Sequence, residues 1–428
     1  MQNIGRNPLP GAALRTALLL VTWIGLGGLV ATGACLLAGC QAAPPDQVSA
    51  PAVASELTVA PADLDRLGLK SFWADQLQMR HGDRIQRVAL LSSPDRTGPD
   101  TLVALTRRNF CYIIKAQAGQ IVHIVQIAEE NTGAFQTPSF DGVHYFFAGT
   151  DMLVGVNAAS GVCDIQMKLE MPSRIRPISD REFVYTGGLD GKIFAYAIDS
   201  QVKHWESKVG PAVVSLDFCK GNLVAARSDV RPGGQGEVLM FRPTFWTELW
   251  SQFTDGQIRA PVVCGGPPVE PPAVKGEPPP DYAIFVASAD GSLYRFNPQH
   301  GWSEWRVRTP APLVDSPVML KNYILQLVPG SGTWAVNRLD GAVAWKDARM
   351  LKYLGQSKDA KRMYFLDGAT LVAKDPKTGK TLGEAPITGG DLIPVADPDG
   401  TLLYLFDAAG HMLCLNDQAL PYIRVSPK

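Results

Sequence analysis

Apolar and polar positions alternate with period two over short runs along most of the chain, and turn-forming residues interrupt the runs at regular intervals. The clearest stretch is Asp290-Gly291-Ser292-Leu293-Tyr294-Arg295-Phe296-Asn297-Pro298-Gln299-His300-Gly301, followed by Trp305 and preceded by a run from Tyr282 to Ala287. Period two marks a strand with one buried face. Asp-Gly between two such runs is a strong hairpin signal, because both turn positions of the tightest hairpins take positive φ. Asn297 ends the second run, where its side chain can bond the following turn, and Gly301 supplies another position open to positive φ. The pattern predicts three short antiparallel strands joined by two tight turns.

The same ruler recurs along the chain. With Asn297 as anchor, matching positions are Lys115, Asn157, Ala197, Arg242, Asn337, Asp375 and Asn416, and the intervals in chain order are 42, 40, 45, 55, 40, 38 and 41 residues. Intervals of that size suit propeller blades of four strands. Four positions after the anchor stands Gly119, Gly161, Gly301, Gly341 or Gly379, and six before it Gly191, Gly236, Gly291 or Gly410. Eight after it, four consecutive units carry Trp205, Trp250, Trp305 and Trp345, and the others His123, Ile165, Gly383 and Arg424. Residues 66–428 thus divide into eight copies of about 45 residues, and the predicted fold is an all-β, eight-bladed β-propeller. One blade cannot cover its own apolar face, so closure is expected to pair a strand near Ser71 to Leu77 with Pro421 to Val425 and so remove exposed ends. The four tryptophans are expected to pack blade against blade, as large rings projecting from outer strands.

Composition sharpens this picture. Charged residues are 19% of the chain, below the usual quarter, while 41 Gly and 33 Pro ask for many turns. With 46% hydrophobic residues the bulk of the chain can bury a core. The net charge is -1, with no long run of one sign, which argues against nucleic acid as a partner. The longest interval holds an insertion, Gly265 to Pro280, with seven prolines; such density blocks sheet pairing and favours an extended surface loop. Arg231 to Gly236 is expected to be a hairpin tip.

The N-terminus differs from the rest. Arg6 and Arg15 are its only charges, an uncharged apolar stretch runs from Thr16 to Leu37, and Leu37-Ala38-Gly39-Cys40 follows. A basic flank, an apolar run and small residues before a cleavage point make an export signal, and the last four residues resemble the lipobox of bacterial lipoproteins. That resemblance implies cleavage after Gly39, lipidation of Cys40 and anchoring in a membrane, with Gln41 pointing to the outer one. The same stretch is also long enough to span a bilayer uncleaved; either way the remainder lies outside the cytoplasm. The expected organisation is a signal over 1–39, lipidated Cys40 with a flexible tether over 40–65, and the propeller over 66–428.

Candidate chemistry is sparse. Histidines at 81, 123, 144, 204, 300 and 411 are scattered without metal-ligand spacing. There is no Gly-x-Ser-x-Gly elbow, P-loop or dinucleotide fingerprint. Glu129-Glu130 and Asp397 with Asp399 fall in expected loops. Cys111, Cys163, Cys219, Cys264 and Cys414 have no paired spacing and are read mostly as buried single thiols, with room for one long-range disulfide in an oxidising compartment. No catalytic residue, cofactor or metal is assigned.

The repeat resembles that of the quinoprotein-like (PQQ-repeat) propellers, whose consensus runs Asp-Gly, alternating apolars, Asp, a Thr-Gly turn and Trp; Leu371-Val372-Ala373-Lys374-Asp375-Pro376-Lys377-Thr378-Gly379-Lys380 matches well around its turn. Dehydrogenases of that group hold pyrroloquinoline quinone and calcium, with an adjacent Cys-Cys disulfide and ligands in long insertions, and none of the cysteines here adjoins another. In size, lipobox and tether the chain is more similar to the BamB family of lipoprotein propellers in outer-membrane protein assembly. That resemblance implies a protein-binding scaffold, tethered through Cys40 and facing the periplasm, whose partners are other envelope proteins. A redox-cofactor dehydrogenase and a binder of envelope carbohydrate are the alternatives.

Overall fold

A computed structural model describes residues 56–418 apart from 94–97, 131, 230, 266–281 and 399. Cys40, the signal, most of the tether, the body of the proline-rich insertion and Pro421 to Val425 lie outside the described residues.

The eight repeats form eight antiparallel sheets, each an up-and-down meander. Blade 1 runs from Ile85–Leu91 through Thr101–Thr106 and Phe110–Lys115 to Ile121–Gln126. Blades 2 to 7 begin at Ser139–Phe140, Ile178–Ser179, Ala212–Cys219, Val263–Gly265, Val318–Met319 and Lys352–Gln356, and blade 8 at Leu392–Val395. First strands of neighbouring blades touch, as Ala212–Cys219 does Val263–Gly265, so they line the axis of the ring. Each anchor closes or directly follows the third strand of its blade, or in blade 8 sits one residue before its end. Middle strands such as Thr101–Thr106 and Ala283–Ser288 are buried throughout, since both faces meet another blade, whereas outer strands such as Thr381–Thr388 alternate. The core accordingly lies between blades. One cluster joins Tyr185 and Ala195 of blade 3 to Leu216, Leu223 and Phe241 of blade 4, and another joins Phe285 and Leu293 of blade 5 to Ile324, Trp334 and Val336 of blade 6.

Three expectations are corrected. The closing strand expected near Ser71 to Leu77 is present as Leu69–Gln76 on the outside of blade 8, but the strand it pairs with is His411–Asp417, ahead of the expected Pro421 to Val425. The ring is latched by Leu69–Gln76, which precedes blade 1 in the chain and serves as the last blade's fourth strand. Ordered structure also begins before residue 66. Thr58–Val59 adds a fifth strand to blade 7, and the helix Pro61–Leu67 buries Leu64 and Leu67 against blades 7 and 8, so this end of the expected tether belongs to the folded body. The Asp-Gly hairpin is present with a longer loop, since Ser288 pairs with Ser292 and leaves three residues between. Only Gly291 has positive φ there, +79°. A three-residue loop ending in a left-handed residue is the next most favoured hairpin.

Candidate functional site: an interlocked ring and its turn face

Strand order fixes which loops share a face. In an up-and-down blade the turn between strands 1 and 2 and the turn between strands 3 and 4 emerge at the same end, and the anchors open the latter.

This end is held by a repeated joint. The Trp305 indole lies on the 3–4 turn of the next blade, where its Nε1–H donates to the Arg338 carbonyl at 3.2 Å. Asn337 starts that turn, accepting the Leu339 N–H on Oδ1 and the Gly341 N–H on its carbonyl. Gly341 has φ +74°, and a Cβ there would stand 2.9 Å from the indole, so both conformation and space require glycine. The joint recurs with the same geometry. Trp205, Trp250 and Trp345 donate to the carbonyls of Pro243, Pro298 and Pro376, in each case the residue after the next anchor. Each of the four pairs across its ladder with the residue two before its own anchor: Ala195, Met240, Arg295 and Ala335.

Two further residues belong to the set. His123 of blade 1 lies on Gly161, with Nε2 3.2 Å from the Ala158 carbonyl. Trp73, on the latching strand, pairs with Cys414 two before the last anchor, bonds the Ala116 carbonyl at 3.1 Å and lies on Gly119. Sequence periodicity missed Trp73 because it belongs to blade 8 in space and precedes blade 1 in the chain. Blade 7 has Gly383 at the ring position, and Leu67 of the helix fills the space, 2.8 Å from where a Cβ would be. Blade 2 uses Ile165, buried among Phe146, Phe194 and Tyr196.

On this rigid base the turn face carries exposed apolar side chains on five successive blades: Val162 at 55% exposure, Val202 at 57%, Phe245 at 67%, Trp302 at 57% and Leu339 at 64%. Blades 3 and 4 concentrate the aromatics. Blade 4 lacks the turn glycine and has Trp246 there, 5.8 Å from the Trp205 ring and 4.6 Å from Phe241. Phe183, His204 and Phe245 extend the group outward, with ring centroids 4.8 and 6.3 Å apart. Cys219 and Cys264 are disulfide-bonded with Cα atoms 5.6 Å apart, tying the roots of the 1–2 loops of blades 4 and 5 on the same face. Cys111 and Cys414 are buried free thiols and Cys163 is partly buried.

Nearer the axis, Arg176 is water-accessible yet enclosed by protein, and that desolvation lowers its pKa against the opposing pull of Asp217. Burial raises the Asp217 carboxyl, opposed by the Cys264 N–H and by Arg176. A quinone site of the dehydrogenase kind does not fit these residues. The disulfide joins cysteines 45 positions apart rather than neighbours, and among the described residues no three His, Cys, Asp or Glu side chains converge to hold a metal ion. Among those residues no helix is long and apolar enough to cross a membrane.

The family model described as outer membrane protein assembly factor BamB matches residues 234–403. The crystal structure of BamB from Moraxella catarrhalis superposes with a TM-score of 0.57 at 14% identity, covering 81% of this chain and 99% of that one. The computationally designed Ika8 protein gives 0.58 at 13%, covering 80% and 98%. Quinohemoprotein alcohol dehydrogenase from Comamonas testosteroni gives 0.58 at 11%, covering 86% and 79%. No curated protein sequence matches significantly. The chain is an eight-bladed β-propeller that resembles the PQQ-repeat propellers and BamB among them.

Proposed function

We propose that this chain is an exported, lipid-anchored propeller that binds other proteins of the cell envelope as a scaffold and performs no chemistry of its own. The observation that carries this reading is the turn face: exposed Phe245, Trp302 and Leu339 stand on turns that the tryptophan joints hold rigid. Large side chains offered on a pre-ordered surface cost little entropy to engage, and aromatics at the centre of an interface contribute most of its energy. The match to the BamB family model supports an envelope partner, and the Cys219–Cys264 bond suits an oxidising compartment. Lipid on Cys40 would keep the ring at the membrane, because two or more acyl chains anchor stably where one does not.

Crosslinking of the native protein in its own membrane, followed by identification of the attached chains, tests the reading. Recovery of an outer-membrane barrel or its accessory proteins is the expected result. The same exposed aromatics could stack on sugar rings, which keeps a carbohydrate-binding reading in play; recovery of glycan fragments alone would establish it and overturn the scaffold.

A further inference from the structure

The rim of the ring, built from the fourth strands of the blades, plays no part in the scaffold reading. A fourth strand turns one backbone edge away from its sheet, and proteins guard such edges with charged side chains, bulges or cover. Blade 7 is covered: Thr58–Val59 pairs antiparallel with Thr381–Thr388, with Val59 opposite Ile387. Other fourth strands carry charge, from one charged residue in Thr247–Thr254 to three in Ser303–Arg308. Blade 1 has neither guard. Its fourth strand, Ile121–Gln126, is the last of its sheet and contains no Asp, Glu, Lys or Arg. Val122 and Ile124 are 40% and 53% exposed on it. A bulge opposite Ile113 and Ile114 bends the turn end, but the register from His123 to Gln126 is unbroken. Val, Ile and a low charge without proline are what let a short strand pair with its own kind.

We propose that this edge pairs with the same strand of a second copy of the chain, antiparallel, about a two-fold axis at Ile124. The backbone sets the register. The Ile127 N–H turns inward to the Asn109 carbonyl at 3.0 Å, so by alternation the N–H and C=O of Val125 face inward and those of Ile124 and Gln126 face outward. Among the described residues no hydrogen bond reaches these outward groups. Two copies can exchange both bonds at Ile124 opposite Ile124, which places Val122 opposite Gln126 and joins two exposed apolar side chains at the axis. The ends match in charge. Near Gln120 stands Lys115, its ammonium 3.3 Å from the Gln120 Oε1, and beyond Gln126 lies exposed Glu129. The same register sets Gln120 of one copy opposite Ala128 of the other, so Lys115 and Glu129 approach each other at both ends of the contact. A two-fold interface must be self-complementary, and this strand is so in backbone, apolar side chains and flanking charge. One strand is a small contact, so the association is reversible.

This rim contact goes beyond the scaffold reading and uses no apolar tip of the turn face, so the two fail separately. Sedimentation equilibrium of the purified full chain in density-matched detergent is expected to show a reversible monomer–dimer equilibrium. Ile124→Lys sets two ammoniums opposite each other and Ile124→Glu two carboxylates, and each should weaken the dimer by about tenfold or more. Mixed one to one, the two variants should restore it, because an ammonium then meets a carboxylate. Restoration excludes misfolding as the cause of the loss, and both variants should melt with the parent, the side chain being largely solvated. Under mild oxidation Ile124→Cys should give a disulfide-linked dimer, since directly opposed residues of this kind have Cα atoms about 5.5 Å apart. Leu249→Cys, exposed on the fourth strand of blade 4, should give far less. A parent that stays monomeric, dimers that persist in both charged variants, a mixture that does not associate, or equal crosslinking of the two cysteine variants would overturn the proposal.

Discussion

At Trp305 the cost of losing one side chain can be divided between burial and fit. The indole fills the space over Gly341 and satisfies the Arg338 carbonyl, so Trp305→Ala should destabilise by about 3–5 kcal/mol. Trp302, exposed and stacked on His300 at 4.4 Å, should lose less than about 0.5 kcal/mol on the same change. Gly341→Ala meets both the indole and a positive φ, and should cost about 1–3 kcal/mol. In the Trp305→Ala background the clash is gone, and only about 1 kcal/mol from the backbone should remain. Denaturant midpoints of the four proteins check the cycle; strict additivity would show that ring and glycine do not act as one joint. A second residue-scale prediction concerns Lys374, whose buried ammonium bonds Asp347 at 2.6 Å, the Gly379 carbonyl at 2.7 Å and Thr381 at 3.1 Å. Burial raises the Asp347 carboxyl, but bonds from Arg349 and Lys374 outweigh it and bring the pKa down to about 2. The unfolded carboxyl titrates near 3.9, so the unfolded chain takes up the proton first as pH falls. The stabilisation is complete above about pH 4 and drains away towards pH 2. Asp347→Asn should abolish that part of the acid transition and cost about 3–5 kcal/mol at neutral pH by stranding Lys374; thermal melts from pH 2 to 7 measure both.

Within the blades, strand order, the position of each anchor turn and the four tryptophans of the middle units are legible in the sequence. They follow from local signals, because a turn glycine, an Asx side chain and an alternating run all act within a dozen residues. The latch is not legible in the same way. Trp73 obeys the ruler only after Leu69–Gln76 is laid beside the last strand, and Leu67 fills the gap at Gly383 only once the helix docks, so both depend on contacts between the two ends of the propeller. The choice of Cys219 and Cys264 is hidden for the same reason: 45 residues separate them, and only the ring brings the first strands of blades 4 and 5 together. The disulfide gives a prediction at this scale. Closing a loop of that length should stabilise by about 4 kcal/mol in the chain-entropy account. Reduction, or Cys219→Ser with Cys264→Ser, should lower the melting temperature by equal amounts, and the reductant should have no further effect on the double variant. A larger effect of reductant on the variant than on the parent would place the redox sensitivity elsewhere.

Across the whole molecule, stiffness and exposure belong to one design: joints of ring on glycine or on carbonyl fix the turns, and those fixed turns carry the apolar tips. A scaffold needs this separation, because residues that hold the ring must differ from residues that meet the partner. Phe245→Ser with Trp302→Ser should therefore leave the melting temperature within about 1 °C, each site being a solvated turn with little to lose, yet should reduce crosslinked partner in the native membrane severalfold. Trp205→Ala should do the reverse at first, lowering stability while leaving Phe245 and Trp302 exposed, with partner loss following only as the fold fails. The dehydrogenase alternative makes the opposite demand. A cofactor bound only by the folded ring must raise its melting temperature by mass action, so pyrroloquinoline quinone with calcium should produce no upward shift and no dye reduction. An upward shift of several degrees would show that the ring holds a quinone through residues other than the adjacent-cysteine set, and partner capture through the turn face would then need a separate explanation.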